Sequence, residues 1–109
     1  MQVDRTQEGS VIVVSPRGAV SEEELAFVQG SIEQLPPGSR LVVSLKDVPY
    51  LDSRALEYFC DLNHKMPATG QRLKFAETPQ ACREVFEVTD LSGEFEFYAT
   101  VEDAVRSFL

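Results

Sequence analysis

Leu41-Val42-Val43-Ser44-Leu45, followed after Lys46-Asp47 by Val48-Pro49-Tyr50-Leu51-Asp52-Ser53-Arg54-Ala55-Leu56, decides how this chain folds. The first run is apolar, short and β-prone, the pattern of a central strand buried on both faces. Beyond the second run, Ala55, Leu56, Phe59, Leu62 and Met66 recur at helical spacing, which predicts a helix from about Arg54 to Met66, ended by Pro67-Ala68-Thr69-Gly70. Arg54, Glu57, Asp61 and Lys65 fall on its water-facing side. Asp52-Ser53 therefore lies where a strand passes into a helix. Ser53 is expected to cap that helix, and a helix N-terminus carries partial positive charge that suits an anion or a phosphorylated side chain.

The same alternation continues in both directions. Toward the N-terminus, Val3 to Thr6 reads as a short edge strand and Val11-Ile12-Val13-Val14 as a second strand, with a turn signal at Pro16-Arg17-Gly18. Ser21-Glu22-Glu23-Glu24 has the form of a capping box, opening a helix that carries Leu25, Val28, Ile32 and Leu35 and stops at Pro36-Pro37-Gly38. Toward the C-terminus, Leu73-Lys74-Phe75-Ala76 is a strand. Thr78-Pro79 predicts a helix cap with proline at the first helical position, ahead of an apolar set of Ala81, Val85, Phe86 and Val88. Phe95 to Tyr98 is strand-like, and Thr100-Val101-Glu102-Asp103 caps a last helix with Ala104, Val105 and Phe108. The resulting order, β-β-α-β-α-β-α-β-α, predicts one α/β domain over residues 1–109 with a mixed, mostly parallel sheet of about five strands and four helices.

With 109 residues, 43% of them hydrophobic, the chain is large enough for one real core. Eighteen acidic residues against ten basic ones give a net charge of -8, which argues against nucleic acid and anionic membrane surfaces as partners and suits a partner with a basic patch, or solubility alone. No apolar run is long enough to cross a bilayer, and Met1-Gln2-Val3-Asp4-Arg5 has neither the basic start nor the apolar stretch of a signal peptide, so a cytoplasmic location is expected. Cys60 and Cys82 stand among apolar neighbours in helical patterns and read as buried free thiols.

The pattern holds little catalytic chemistry. His64 is the one histidine, no Ser-His-Asp or Cys-His set can be assembled around it, the glycines stand singly, and no metal-ligand spacing occurs; no enzyme activity, cofactor or metal is expected. A response-regulator receiver, a rival fold of this size, needs acidic residues after its first strand, where this chain has Ser15-Pro16-Arg17.

Taken in order, these pieces resemble the STAS family, typified by bacterial anti-sigma-factor antagonists. Gly18 is similar to that family's turn glycine, and Val42 to Leu45 with Val48 to Ser53 to its central strand and signature loop. Gly70-Gln71-Arg72-Leu73-Lys74-Phe75 resembles its fourth strand. Arg83 to Leu91 and Thr100 to Val105 resemble its last two helices. The resemblance implies a non-catalytic module of signal transduction and transcriptional regulation that binds a protein, either an anti-sigma factor or a serine-kinase-like regulator. In the family the signature loop reads Asp-Ser-Ser/Thr-Gly, and phosphate on its third residue breaks the complex by adding bulk and close to two negative charges.

This chain departs from that pattern. Arg54 stands at the phosphoacceptor position, Ala55 replaces the glycine, and Ser44 replaces an aspartate near the end of the central strand. The resemblance thus implies docking through Asp52, Ser53 and Arg54, with Glu57, Tyr58 and Asp61 extending the contact along the helix, but without the usual switch. Ser53 is either a helix cap or a shifted phosphorylation site. Arg54 is either a surface arginine or a contact to an acidic patch or phosphate on the partner. Asp52 is either a turn aspartate or the holder of a backbone amide or a partner's basic group. Glu57, Tyr58 and Asp61 are either contacts or a solvated face. The alternative role is a STAS-like structural subunit or adaptor in a transporter complex or signalling scaffold.

Overall fold

The computed structural model describes residues 1–36, 38–65 and 72–109. Strands β1 (Gln2–Glu8), β2 (Val11–Arg17), β3 (Arg40–Ser44), β4 (Lys74–Ala76) and β5 (Glu96–Tyr98) form one sheet in the order β1-β2-β3-β4-β5. The β1–β2 hairpin is antiparallel and every later pairing is parallel. Helices α1 (Leu25–Glu33), α2 (Ser53–Lys65) and α3 (Gln80–Val88) are the crossovers, and α4 (Val101–Arg106) follows the last strand. Order and architecture are those the sequence predicts.

Parallel strands added one after another in a single direction, with crossovers of one hand, receive their connecting helices on the same face of the sheet. The packing follows. Val14, Leu41, Val43 and Phe75 meet Leu25, Val28 and Ile32 of α1, Ala55, Leu56 and Phe59 of α2, and Cys82 and Phe86 of α3 in one large core. Val11, Val13, Val42 and Ala76, pointing the other way from the same strands, pack with Ala104 of α4. That alternation buries β3 on both faces. Phe75 is the hub of the larger core, its ring centroid 5.1 Å from Phe59, 5.3 Å from Phe86, 5.2 Å from Phe95 and 5.7 Å from Phe97.

On the α4 face Lys74 is buried, its ammonium 3.1 Å from Glu96 and 4.8 Å from the centre of the Phe108 ring. The Tyr98 hydroxyl donates to the same Glu96 oxygen at 2.7 Å. Burial pushes the Glu96 carboxyl up, but hydrogen bonds from Tyr98 and Lys74, the Lys74 charge and a backbone bond from Arg72 outweigh it and hold the group below its ordinary value.

Several local expectations change. β1 is longer than Val3 to Thr6, and β2 runs on through Pro16 and Arg17, which pair with Val3 and Gln2. Pro16 lies past Val14, the last β2 residue in the β3 ladder. Ser21 makes a turn through its carbonyl, not a capping box: α1 starts after Glu24, with no side-chain cap. Pro79 takes the cap position of α3, one residue before the first helical residue, and again no side chain caps it. Helix α3 buries Cys82 and Phe86 while Ala81 is exposed and Val88 is 82% exposed. Cys60 is only partly buried. Thr100 does cap α4, accepting from the Asp103 amide at 3.0 Å. The expected helix end at Met66 to Gly70 lies outside the described residues, as do Pro37 and Gln71.

Because the folded state holds the Glu96 carboxyl low, its contribution is present above the unfolded-state value and fades as pH falls through the folded one. Denaturation midpoints of the natural chain and Glu96→Gln, measured from pH 7 downward, are expected to differ at neutral pH and to converge below the ordinary glutamate value of 4.5.

Candidate functional site

Between the end of β3 and the start of α2 the chain runs beside the segment that leads from β2 into α1. Gly18 N–H donates to the Asp47 carbonyl at 2.9 Å, Val20 N–H to Tyr50 at 2.9 Å, and Asp52 N–H to Val20 at 3.2 Å. Gly18 sits at φ +109°, a conformation that favours glycine. Val20, Val48 and Leu51 are buried beneath this ribbon and fix its depth.

Asp52 closes the ribbon with its side chain. One carboxylate oxygen accepts the Ala55 amide at 3.0 Å, and the other accepts the Glu22 amide, 30 residues away in sequence, at 2.7 Å. The Asp52 carbonyl accepts from Leu56 at 3.1 Å. Asp52 is therefore the N-cap of α2, and Ser53, expected to cap it, is instead its first helical residue and is exposed. A side-chain oxygen reaches the amide three residues on, so the cap must stand one position earlier than the serine.

Past Asp52, α2 presents its polar side. Ala55, Leu56 and Phe59 are buried; Ser53, Arg54, Glu57 and Asp61 are exposed. Arg54 lies between two carboxylates, Nε 3.8 Å from Glu22 and Nη1 3.9 Å from Glu57. Arg54, Glu57, Tyr58 and Asp61 line one shallow groove with Leu25 and Gln29 of α1. Tyr58 is half-buried there; burial, helped by the charge of Glu33, pushes its phenol up to about 12. Its hydroxyl has no hydrogen-bond partner among the described residues. Tyr50 projects from the ribbon, 53% exposed.

All six residues singled out in the sequence thus lie at the start of α2 or along it, and four of them share the groove. Glu22, Gln29 and Tyr50 join them, and no local signal pointed to these three: Glu22 and Gln29 arrive through packing of α1 beside α2, and Tyr50 through the pairing of its carbonyl. Ser44 is buried at the end of β3. His64 is exposed near Cys60 and Glu94, and no group of three metal-ligating side chains occurs among the described residues. None of the described helices is long and apolar enough to cross a membrane.

The family model described as STAS domain matches residues 2–104. No curated protein matches the sequence. Among solved structures, a protein from Thermotoga maritima is similar with a TM-score of 0.82 at 14% identity, over 96% of this chain and 92% of that one. An anti-sigma factor antagonist from Mycobacterium paratuberculosis is similar with a TM-score of 0.79 at 24% identity, over 97% and 92%. The anti-sigma factor antagonist SpoIIAA in its unphosphorylated form is similar with a TM-score of 0.76 at 15% identity, over 98% and 96%. At these identities the likeness is one of fold.

Asp52→Ala is expected to lower unfolding free energy by about 1–2 kcal/mol, the range for loss of a helix cap, and Asp52→Asn by less, since asparagine also caps. Ser53→Ala is expected to stay within about 0.5 kcal/mol of the natural chain, as a surface change does. Urea denaturation of the three variants checks this; a larger loss in Ser53→Ala than in Asp52→Ala would return the cap to Ser53.

Proposed function

This chain belongs to the STAS domain family, and from that premise we propose that it is a non-catalytic regulatory module of the anti-sigma-factor-antagonist kind, acting in the cytoplasm. It docks through Asp52, Ser53 and Arg54, and through Glu57, Tyr58 and Asp61 along α2, onto an anti-sigma or serine-kinase-like protein. The observation that carries this reading is the Asp52 carboxylate. Both of its oxygens are engaged by amides, which holds the loop and the start of α2 in one conformation and leaves Ser53, Arg54 and Glu57 facing out. A surface ordered before binding loses little entropy on association.

Docking of this kind has no off-switch at position 54. A guanidinium has no hydroxyl to phosphorylate, so the contact is constitutive. Asp52 takes part in this docking by holding the loop in place, because both of its oxygens already accept amides, while Ser53, Arg54 and the polar side of α2 present the exposed side chains.

Affinity capture of the tagged full chain from its own cells, with mass spectrometry of the retained proteins and of the bait, tests the reading. An anti-sigma or serine-kinase-like protein is expected, with no phosphate on residues 41–65 of the bait. Ser53→Trp, which sets a bulky ring on the docking surface, is expected to reduce retention by about tenfold or more, as changes at an interface centre do, without altering thermal unfolding. Undiminished retention by Ser53→Trp would overturn docking at α2, phosphate on Ser53 would overturn the constitutive contact, and a transporter or scaffold protein on an unmodified bait would favour the adaptor role.

A further inference from the structure

The docking reading leaves the chemistry of the partner open, and the charge pattern of the surface narrows it. Glu22, Glu23, Glu57 and Asp61 are all exposed; Glu22 and Glu57 flank Arg54, Asp61 lines the same groove, and Glu23 follows Glu22 in the chain. Arg54 is the cation set among them, but it lies 3.8 Å from Glu22 and 3.9 Å from Glu57, so it offsets part of their field without reversing it. The chain as a whole carries -8, so its long-range field also favours approach of a cation. A partner acidic or phosphorylated at this contact, one reading of Arg54 in the sequence, would meet Glu22 and Glu57 on either side of the guanidinium.

The second feature is Tyr50. Its ring is 53% exposed, yet its backbone is pinned, because its carbonyl accepts the Val20 amide at 2.9 Å. A large ring held outward on an ordered ribbon is a contact of low entropic cost. A guanidinium lies flat on such a ring and forms paired hydrogen bonds with a carboxylate, whereas an ammonium meets each as a compact, strongly hydrated point charge.

Resting on the docking reading above, we infer that the surface formed by Tyr50, Arg54, Glu22, Glu23, Glu57 and Asp61 takes an arginine-bearing polypeptide segment, with guanidinium groups on Tyr50 and on the carboxylates that flank Arg54. The carboxylates draw the segment in, and the tyrosine selects arginine over lysine.

Titration of the isotope-labelled full chain with hexa-arginine, hexalysine and hexaglutamate, followed by amide NMR, tests this. Hexa-arginine is expected to shift residues 20–24 and 50–61 more than α3, whose exposed Glu84 and Glu87 provide an acidic control on the same molecule. Hexalysine is expected to bind the same residues more weakly, and hexaglutamate to leave them unchanged. Tyr50→Ala, and the double change Glu57→Gln with Asp61→Asn, are each expected to weaken hexa-arginine binding by about threefold, the scale of exposed charge pairs and ring contacts. Shifts spread evenly over α3, equal affinity for hexa-arginine and hexalysine, or no loss in these variants would overturn the inference. Such a result alongside loss of the captured partner in Ser53→Trp leaves docking at α2 in place and removes only the arginine assignment. Undiminished capture by Ser53→Trp removes docking itself, whatever the peptides do.

Discussion

The first amides of an α-helix have no acceptor within the helix, and at α2 one of them ends on the carboxylate of Asp52. The other oxygen of that carboxylate holds the Glu22 amide, from the segment that enters α1. This side chain thus adds to the Val20–Tyr50 and Asp52–Val20 backbone bonds in joining the segment that enters α1 to the start of α2. The ribbon from Gly18 to Asp52, the outward face of α2 and the groove beside Tyr58 take their shape from this junction. A carboxylate suits the place because it has two acceptor atoms and no donor to leave unmatched.

The core makes that junction possible. β3 is buried on both faces, so the loop leaving it starts from a fixed point, and Val48 and Leu51 seat the loop in the same core as Phe59 and Phe75. The side chains that face water above them contribute little to folding.

Much of this was legible in the sequence, for reasons particular to each element. The apolar run at Leu41 to Leu45 and the helical spacing of Ala55, Leu56 and Phe59 each report burial directly, because side-chain period and backbone conformation are tied together. The exposure of Arg54, Glu57 and Asp61 follows from the same spacing. Where the reading erred, the signal was a capping preference. Ser21, Ser53 and Thr78 all have the right chemistry for a helix start, and at each a neighbour or the main chain took the role. On α3 the apolar character of Ala81 and Val88 also misleads, since both are exposed while Cys82 and Phe86 are buried.

The sequence by itself determined the element order, the single domain, the family and the outward face of α2, since all of these rest on local periodicity and on motifs in order along the chain. The tertiary structure alone decided that Asp52 caps α2, that its second oxygen reaches Glu22, and that Arg54 stands between Glu22 and Glu57. The Ala55 cap and the Arg54–Glu57 pair are local to α2, whereas the contacts of Asp52 and Arg54 with Glu22 depend on bringing the start of α1 beside α2. That proximity comes from crossovers laid on one face of a parallel sheet, and no pattern within either helix records it.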